Sequence, residues 1–188
     1  MNYYNEKANE FIEDTFNSDM SIQYAFFEQH LPGKATTILD LGFGSGRDSL
    51  YYSQKYEVYA IDPSEVFCQK ATELGLKNVF CMTAQEMKFI NKFDGIWACA
   101  SLLHVKKEEL NLCFKNCSKA LKEDGVLYCS FKYGEFEGDR NGRYFTDLTE
   151  ETIKEYLKDT NLKIIESLIT NDVRPNRSGK WLNVVLKK

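Results

Sequence analysis

The 188-residue sequence is short of the residues that mark many specialised classes. It has two histidines, His30 and His104, and its six cysteines (68, 81, 99, 113, 117 and 129) never form a CxxC pair. Cys113 and Cys117 stand four apart on an expected helix, but no histidine or second pair accompanies them. Zinc and disulfide frameworks are therefore disfavoured, and buried reduced thiols are expected. No apolar run approaches the length of a membrane span, and the opening MNYYNEKANEF lacks a signal-peptide core, so a cytoplasmic address is expected. Positive charge is also outweighed by negative. With 24 Lys and Arg against 28 Asp and Glu, the net charge is −4, which argues against a grip on nucleic acid or an anionic membrane. There is no repeat, low-complexity tract or linker. The length suits one domain with a substantial core, as a monomer or homodimer.

What is present is an alternation. Residues 3–16 and 19–31 carry helical patterning, with Ser18 or Asp19 placed to cap the second helix. Then TTILDLG, YEVYAID, NVFCM, FDGIWACAS and GVLYCSFKY read as nearly continuous apolar strands, with helices GRDSLYYSQK, PSEVFCQKATELG and KKEELNLCFKNCSKALK between them. Strands of this kind form a parallel sheet covered on both faces. A helix over 149–160 follows. The last two strands, NLKIIESLIT and KWLNVVLKK, have no helix between them and pair most simply as an antiparallel hairpin. The expectation is an α/β, Rossmann-like, doubly wound sheet of seven strands, mostly parallel, ending in an antiparallel strand. It is a single domain, 1–188, with N-terminal helices over 1–33 and an irregular loop over 134–148.

The stretch ILDLGFGSGRDSL places Gly42, Gly44 and Gly46 just past the first strand, where a doubly wound sheet binds its ligand. The spacing is GxGxG, not the GxGxxG of dinucleotide sites. Asp40 ahead of it would repel a pyrophosphate. It suits a ligand carrying an ammonium and a sulfonium, and S-adenosylmethionine has both. Asp62 ends the second strand 20 residues after Gly42, where a Rossmann-like fold positions an acid for ribose hydroxyls. Thr83, Ala84 and Gln85 follow the third strand, where an adenine edge would be read. Each feature alone has a plainer explanation: a tight turn, a surface acid, a helix cap at Asp62-Pro63.

The segments ILDLGFGSGRDSL, VYAIDPS, FDGIWACASLLHV and LKEDGVLYCSF, in this order, resemble the class I S-adenosylmethionine-dependent methyltransferases over about residues 36–133. More narrowly, GSGRDSLYY resembles the tellurite-resistance methyltransferases. The resemblance implies a cofactor, S-adenosyl-L-methionine, leaving as S-adenosyl-L-homocysteine. It implies contacts from Asp40, Gly42, Phe43, Gly44, Gly46, Asp62, Pro63, Ser64, Thr83, Ala84, Gln85, Ala100 and Ser101. Phe43 replaces a cysteine common in the family, and Thr83 replaces an aspartate that holds the adenine amine there, a role left to Gln85. It also implies that the leading helices, with Tyr3 and Tyr4, close over the cofactor.

His104 closes SLLHV after the fourth strand and by the resemblance lies near the methyl group, as a base, an orienting group or a structural histidine. His30, ending the second helix, suits a charge on the helix dipole. Lysines outnumber arginines nineteen to five. Arg47 belongs to the glycine turn, and Arg140, Arg143, Arg174 and Arg177 fall in two loops. Arginine binds oxyanions through a planar fork, so these four describe an anion pocket, unless they pair with Glu137, Asp139 and Asp172 in the same loops. Tyr133, Tyr144 and Phe145 suit apolar walls, with Tyr133 beside His104 as a catalytic candidate; Trp97 and Trp181 read as core. The expected function is methyl transfer, in line, to a small anionic acceptor such as a chalcogen oxyanion or an organic acid. The alternatives are a module that binds the cofactor without catalysis and a protein methyltransferase. A nucleic-acid methyltransferase is disfavoured by ACASLLHV, which lacks a base-stacking Asn-Pro-Pro-aromatic tetrad.

Overall fold

The computed structural model describes residue 4 and residues 6–174 and 177–188, so Tyr3 lies outside the described residues. Two helices, α1 (Ala8–Thr15) and α2 (Ser21–Glu28), precede the sheet. The Asp19 carboxylate accepts from the Ser21 N–H at 2.9 Å, at the entry to α2. Then come β1 (Thr37–Leu41), α3 (Arg47–Ser53), β2 (Glu57–Asp62), α4 (Glu65–Glu73), β3 (Asn78–Cys81), β4 (Phe93–Ala98) and a 3₁₀ turn, Leu102–His104. The chain continues through α5 (Lys107–Ala120), β5 (Leu121–Lys132), β6 (Glu137–Arg140), β7 (Arg143–Thr146), α6 (Ile153–Leu157), β8 (Lys163–Asn171) and β9 (Lys180–Lys187).

Seven strands form one sheet in the order β3-β2-β1-β4-β5-β9-β8. The first five run parallel, and β9 enters antiparallel between β5 and β8. The order reverses beside β1, so the ends of β1 and β4 open a crevice there. Strand alternation sends Leu39, Ile96 and Leu127 to one face and Ile38, Trp97 and Tyr128 to the other. The first face is covered by α5, whose Leu110, Cys113, Phe114 and Cys117 recur at helical spacing and are all fully buried. The second is covered by α2 and α3 through Phe27, Tyr24 and Tyr52. Burying each such side chain contributes about 1.5–3 kcal/mol.

Three segments differ from the sequence expectation. Residues 134–148 are not irregular. They hold the β6–β7 hairpin, turned by Asn141 and Gly142 at φ 55° and 78°. Two consecutive positive φ values are the signature of a tight hairpin turn, which Asn-Gly favours. The helix expected over 149–160 contracts to Ile153–Leu157. Trp97 is fully buried, whereas Trp181 is only partly buried, packing against the core on one side and lining a cavity on the other.

Candidate active site

The turn after β1 brings backbone, not side chains, to the crevice. Gly42 has φ +74°, and a Cβ there would lie 2.2 Å from Ser101 Oγ. Gly44 has φ +51°, and its Cβ would meet the Phe11 ring at 3.0 Å. Only glycine fits either position without displacement. Asp40 is not at the lip of this turn. It shares the sheet face of Ile38, beneath α3, is 2% exposed and accepts from Ser49 Oγ at 2.6 Å. Burial, with Asp48 nearby, pushes its carboxyl well above the usual range. The acid of this stretch that does line an open space is Asp48, the residue after Arg47. It accepts from Tyr24 Oη at 2.5 Å, Trp97 Nε1 at 2.9 Å and Arg47 Nε at 2.6 Å. Gly46 and Ser64 likewise lie behind the lining: Gly46 starts α3, and Ser64 caps α4 with its hydroxyl.

A cleft of about 270 Å³ runs along the ends of β1, β2 and β3. Its lining includes Gly42, Gly44, Asp62, Pro63, Thr83, Ala84, Gln85, Ala100 and Ser101, with Phe67 and Met82 as apolar walls. Asp62 is 7% exposed and accepts from the N–H groups of Gly44 at 3.0 Å and Ser64 at 2.9 Å. Burial raises its pKa to about 6 against the pull of those two donors. Asn116 donates to the carbonyls of Ala84 and Gln85 at 3.0 and 2.9 Å, fixing the loop that carries them. Thr83 is engaged by Glu86, which accepts from its N–H and its hydroxyl, both at 2.9 Å.

A second cavity, of about 500 Å³, opens beyond β4 and β5 and is lined in part by Phe43, Tyr128, Lys132, Tyr133, Phe145 and Trp181. The two spaces share the wall of Tyr4, Phe11, Gly42, Gly44, Ala100 and His104. His104 Nδ1 lies 2.6 Å from the Tyr144 carbonyl, which can only accept, so Nδ1 carries the proton. Nε2 then accepts from the Tyr4 hydroxyl at 2.7 Å. Burial, with Arg143 nearby, lowers the imidazole pKa to about 4, so the ring is neutral at physiological pH. The β6–β7 hairpin thus fixes the tautomer, and the leading segment occupies the lone pair. Helix α1 is held over the seam from three sides: Arg47 on the Thr15 carbonyl, Lys70 on Asn9 and Arg177 on Asp14.

The arginines are largely committed to carboxylates. Arg140 makes two bonds to Asp147, at 2.9 and 2.6 Å, with its guanidinium 3.9 Å from the Phe136 ring centre. Arg174 makes two to Asp172, and Arg177 bonds Asp14. The partners are Asp147, Asp172 and Asp14, with Asp172 alone among the three acids expected from the loops. Asp172 also takes Lys132 Nζ at 2.9 Å and Trp181 Nε1 at 3.2 Å, and although burial opposes it, Arg174 and Lys132 hold its carboxyl well below the usual range. Two cations share one acid there, leaving an excess positive charge. Lys132 Nζ lies 4.1 Å from the Trp181 ring centre. Arg143 lines the same cavity, near Phe145. The Tyr144 hydroxyl turns away to Glu137 and does not line either cavity, and Tyr133 is a rim residue, 38% exposed. His30 pairs with Glu166 at 2.7 Å on the surface, far from the site in function.

Comparison with known proteins gives the same setting. Residues 38–125 match the model of a methyltransferase domain. An uncharacterised methyltransferase of Staphylococcus carnosus is 30% identical over 181 residues, covering 90% of this chain and 87% of that protein. The phosphoethanolamine N-methyltransferase of Plasmodium falciparum is 29% identical over 150 residues, 72% of this chain and 56% of that protein. Among solved structures, Burkholderia thailandensis 1,6-didemethyltoxoflavin-N1-methyltransferase, with its substrate and S-adenosylhomocysteine bound, superposes with a TM-score of 0.79. That match is 21% identical and covers all of this chain and 84% of the other.

Proposed function

The chain belongs to the S-adenosylmethionine-dependent methyltransferases, and from that premise we propose that it methylates a small anionic acceptor by direct in-line transfer. When bound, S-adenosylmethionine supplies an electrophilic methyl group on a sulfonium. The described residues fit it. Gly42 and Gly44 leave room that a Cβ would fill, Asp62 would offer a buried carboxylate to the ribose hydroxyls, and Thr83, Ala84 and Gln85 would flank the adenine. Asp48, held by Arg47, Tyr24 and Trp97 at the cavity wall, would offer a carboxylate to the methionine ammonium.

The observation that carries the acceptor reading is the second cavity, joined to the cleft at Tyr4 and His104 and holding Lys132, Arg143 and Arg174. These cations attract an anionic handle, while Phe145 and Trp181 exclude water from it. His104 acts as an orienting group: its lone pair is engaged by Tyr4, and its low pKa makes it a poor proton acceptor. An acceptor that attacks with a lone pair it already carries suits this arrangement. Oxyanions of tellurium or selenium are the narrowest form of this class, and planar nitrogen or carboxylate acceptors the broader one.

The test is transfer of a labelled methyl group from S-adenosylmethionine. Tellurite and selenite are offered in one set, phosphoethanolamine, small organic acids and planar nitrogen heterocycles in another, with headspace and solution both counted. Transfer to any anionic member supports the proposal, volatile label supports its chalcogen form, and transfer only to a cationic or protein acceptor rejects it.

A further inference from the structure

Beside the ribose corner lie two thiols from different elements. Cys68 is in the first turn of α4 and Cys81 ends β3, directly opposite Asp62 in the parallel register. Their sulfurs donate to the carbonyls of consecutive residues: Cys68 Sγ to Asp62 O at 3.4 Å, Cys81 Sγ to Pro63 O at 3.7 Å. Burial, with the Cys81 thiol nearby, raises the Cys68 pKa to about 12. Cys81 is exposed and Cys68 half-buried. The other four cysteines have no such arrangement: Cys113, Cys117 and Cys129 are fully buried, and Cys99 bonds Ser130. Neither Cys68 nor Cys81 lines the cleft, so methyl transfer does not use them.

We propose that Cys68 and Cys81 form an oxidisable dithiol whose reversible disulfide loosens the corner that presents Asp62. The oxidant is a peroxide. The exposed Cys81 sulfur attacks one peroxide oxygen, the O–O bond breaks and water leaves, giving a sulfenic acid. The Cys68 sulfur then displaces that hydroxyl, the S–S bond forms and a second water leaves. Two thiols lose two electrons, and the peroxide is reduced to two waters. The bridge removes the S–H donors from the Asp62 and Pro63 carbonyls. Those carbonyls belong to the turn whose next N–H, that of Ser64, orients the Asp62 carboxylate. The second half of the proposal rests on Asp62 as the ribose acid.

The test uses the whole wild-type protein, without cofactor, treated with stoichiometric hydrogen peroxide. Cys68 and Cys81 fall in separate tryptic peptides, 56–70 and 78–88, so a bridge joins two identifiable fragments. The expected result is loss of two hydrogens by intact mass, those two peptides linked, and reversal by dithiothreitol. A link elsewhere, or Cys81 oxidised with Cys68 left free, overturns the dithiol. Cys81→Ser should resist bridging, and Cys68→Ser should retain a sulfenic acid at Cys81. Calorimetry with S-adenosylhomocysteine then compares reduced and bridged protein. Weakening of roughly threefold to tenfold, the scale of one or two lost hydrogen bonds, is expected. Equal affinity in the two forms overturns the coupling to the ribose corner. No binding in either form rejects the cofactor site instead, and the mass result stands apart from both.

Discussion

Asp62 makes a prediction whose two readouts move in opposite directions. Its carboxyl titrates at about 6 in the apo fold, above the ordinary 3.8, because burial outweighs the N–H bonds from Gly44 and Ser64. Ribose hydroxyls would donate to the ionised form, so binding takes the proton off. Affinity for S-adenosylhomocysteine should therefore fall as the pH drops through 6, by roughly tenfold between pH 8 and pH 5, one decade per unit below the pKa. Folding stability responds with the other sign. Between 3.8 and about 6 the native state holds a proton that the unfolded chain has released, so acidification favours the fold, by roughly 3 kcal/mol over the two-unit span. His104 opposes this in the same window. Its native pKa of about 4 lies below the ordinary 6.5, so the unfolded state takes up the proton and stability is lost as pH falls. The wild-type stability curve thus hides both, and the difference from Asp62→Asn isolates one. Calorimetric titration and urea unfolding of both proteins from pH 4 to 8 measure it. Asp62→Asn should bind weakly at every pH, with the low-pH fall removed, and the wild type should gain stability relative to it on acidification. Flat wild-type affinity, or the same slope in both proteins, refutes the ribose role.

Other residues predict separate outcomes. Gly42→Ala forces a Cβ towards Ser101 Oγ at a positive φ, which should cost about 1–3 kcal/mol in urea unfolding and abolish cofactor binding; unchanged binding would show that the turn has room to move. His104→Gln should reduce kcat less than tenfold, since the imidazole lone pair is already engaged by Tyr4; a loss of roughly 10²–10⁴-fold would mark His104 as the base. Lys132→Met should raise the acceptor KM and leave the S-adenosylhomocysteine Kd unchanged, and equal effects on both would return the Lys132–Asp172 pair to a structural role. Arg143→Lys gives a second reading of the same cavity, with acceptor KM rising more than cofactor Kd.

The sheet was legible because its strands are short apolar runs punctuated by glycine, and because β8 and β9 lack a helix between them. Asp62 was legible from its distance to the glycine turn, since one β-α-β unit fixes that distance. The hairpin β6–β7 went unread although Asn141-Gly142 was its signal; charged Glu137, Asp139 and Arg140 gave the stretch the composition of a loop. Asp40 and Asp48 illustrate a deeper limit. An acid two residues before the glycines looks nearest the ligand along the chain, but strand alternation turns Asp40 under α3, and the first turn of that helix brings Asp48 to the cavity. Lys132 meets Trp181 and Asp172 only because β9 lies between β5 and β8, a proximity no local pattern encodes. The arginines were visible as a cluster, but their carboxylate partners were visible only in part.

The described lining of the smaller cleft comes entirely from residues at or before Val105, whereas the larger cavity draws Lys132, Tyr133, Arg140, Phe145, Arg174 and Trp181 from the later part of the chain. On the proposed assignment, the cations that would hold the acceptor follow Tyr128, and the residues that would hold the cofactor precede it. If that assignment holds, variation confined to codons after Tyr128 would explore new acceptors while leaving the donor site intact, and a library restricted in that way would sample substrate range at little cost to cofactor affinity.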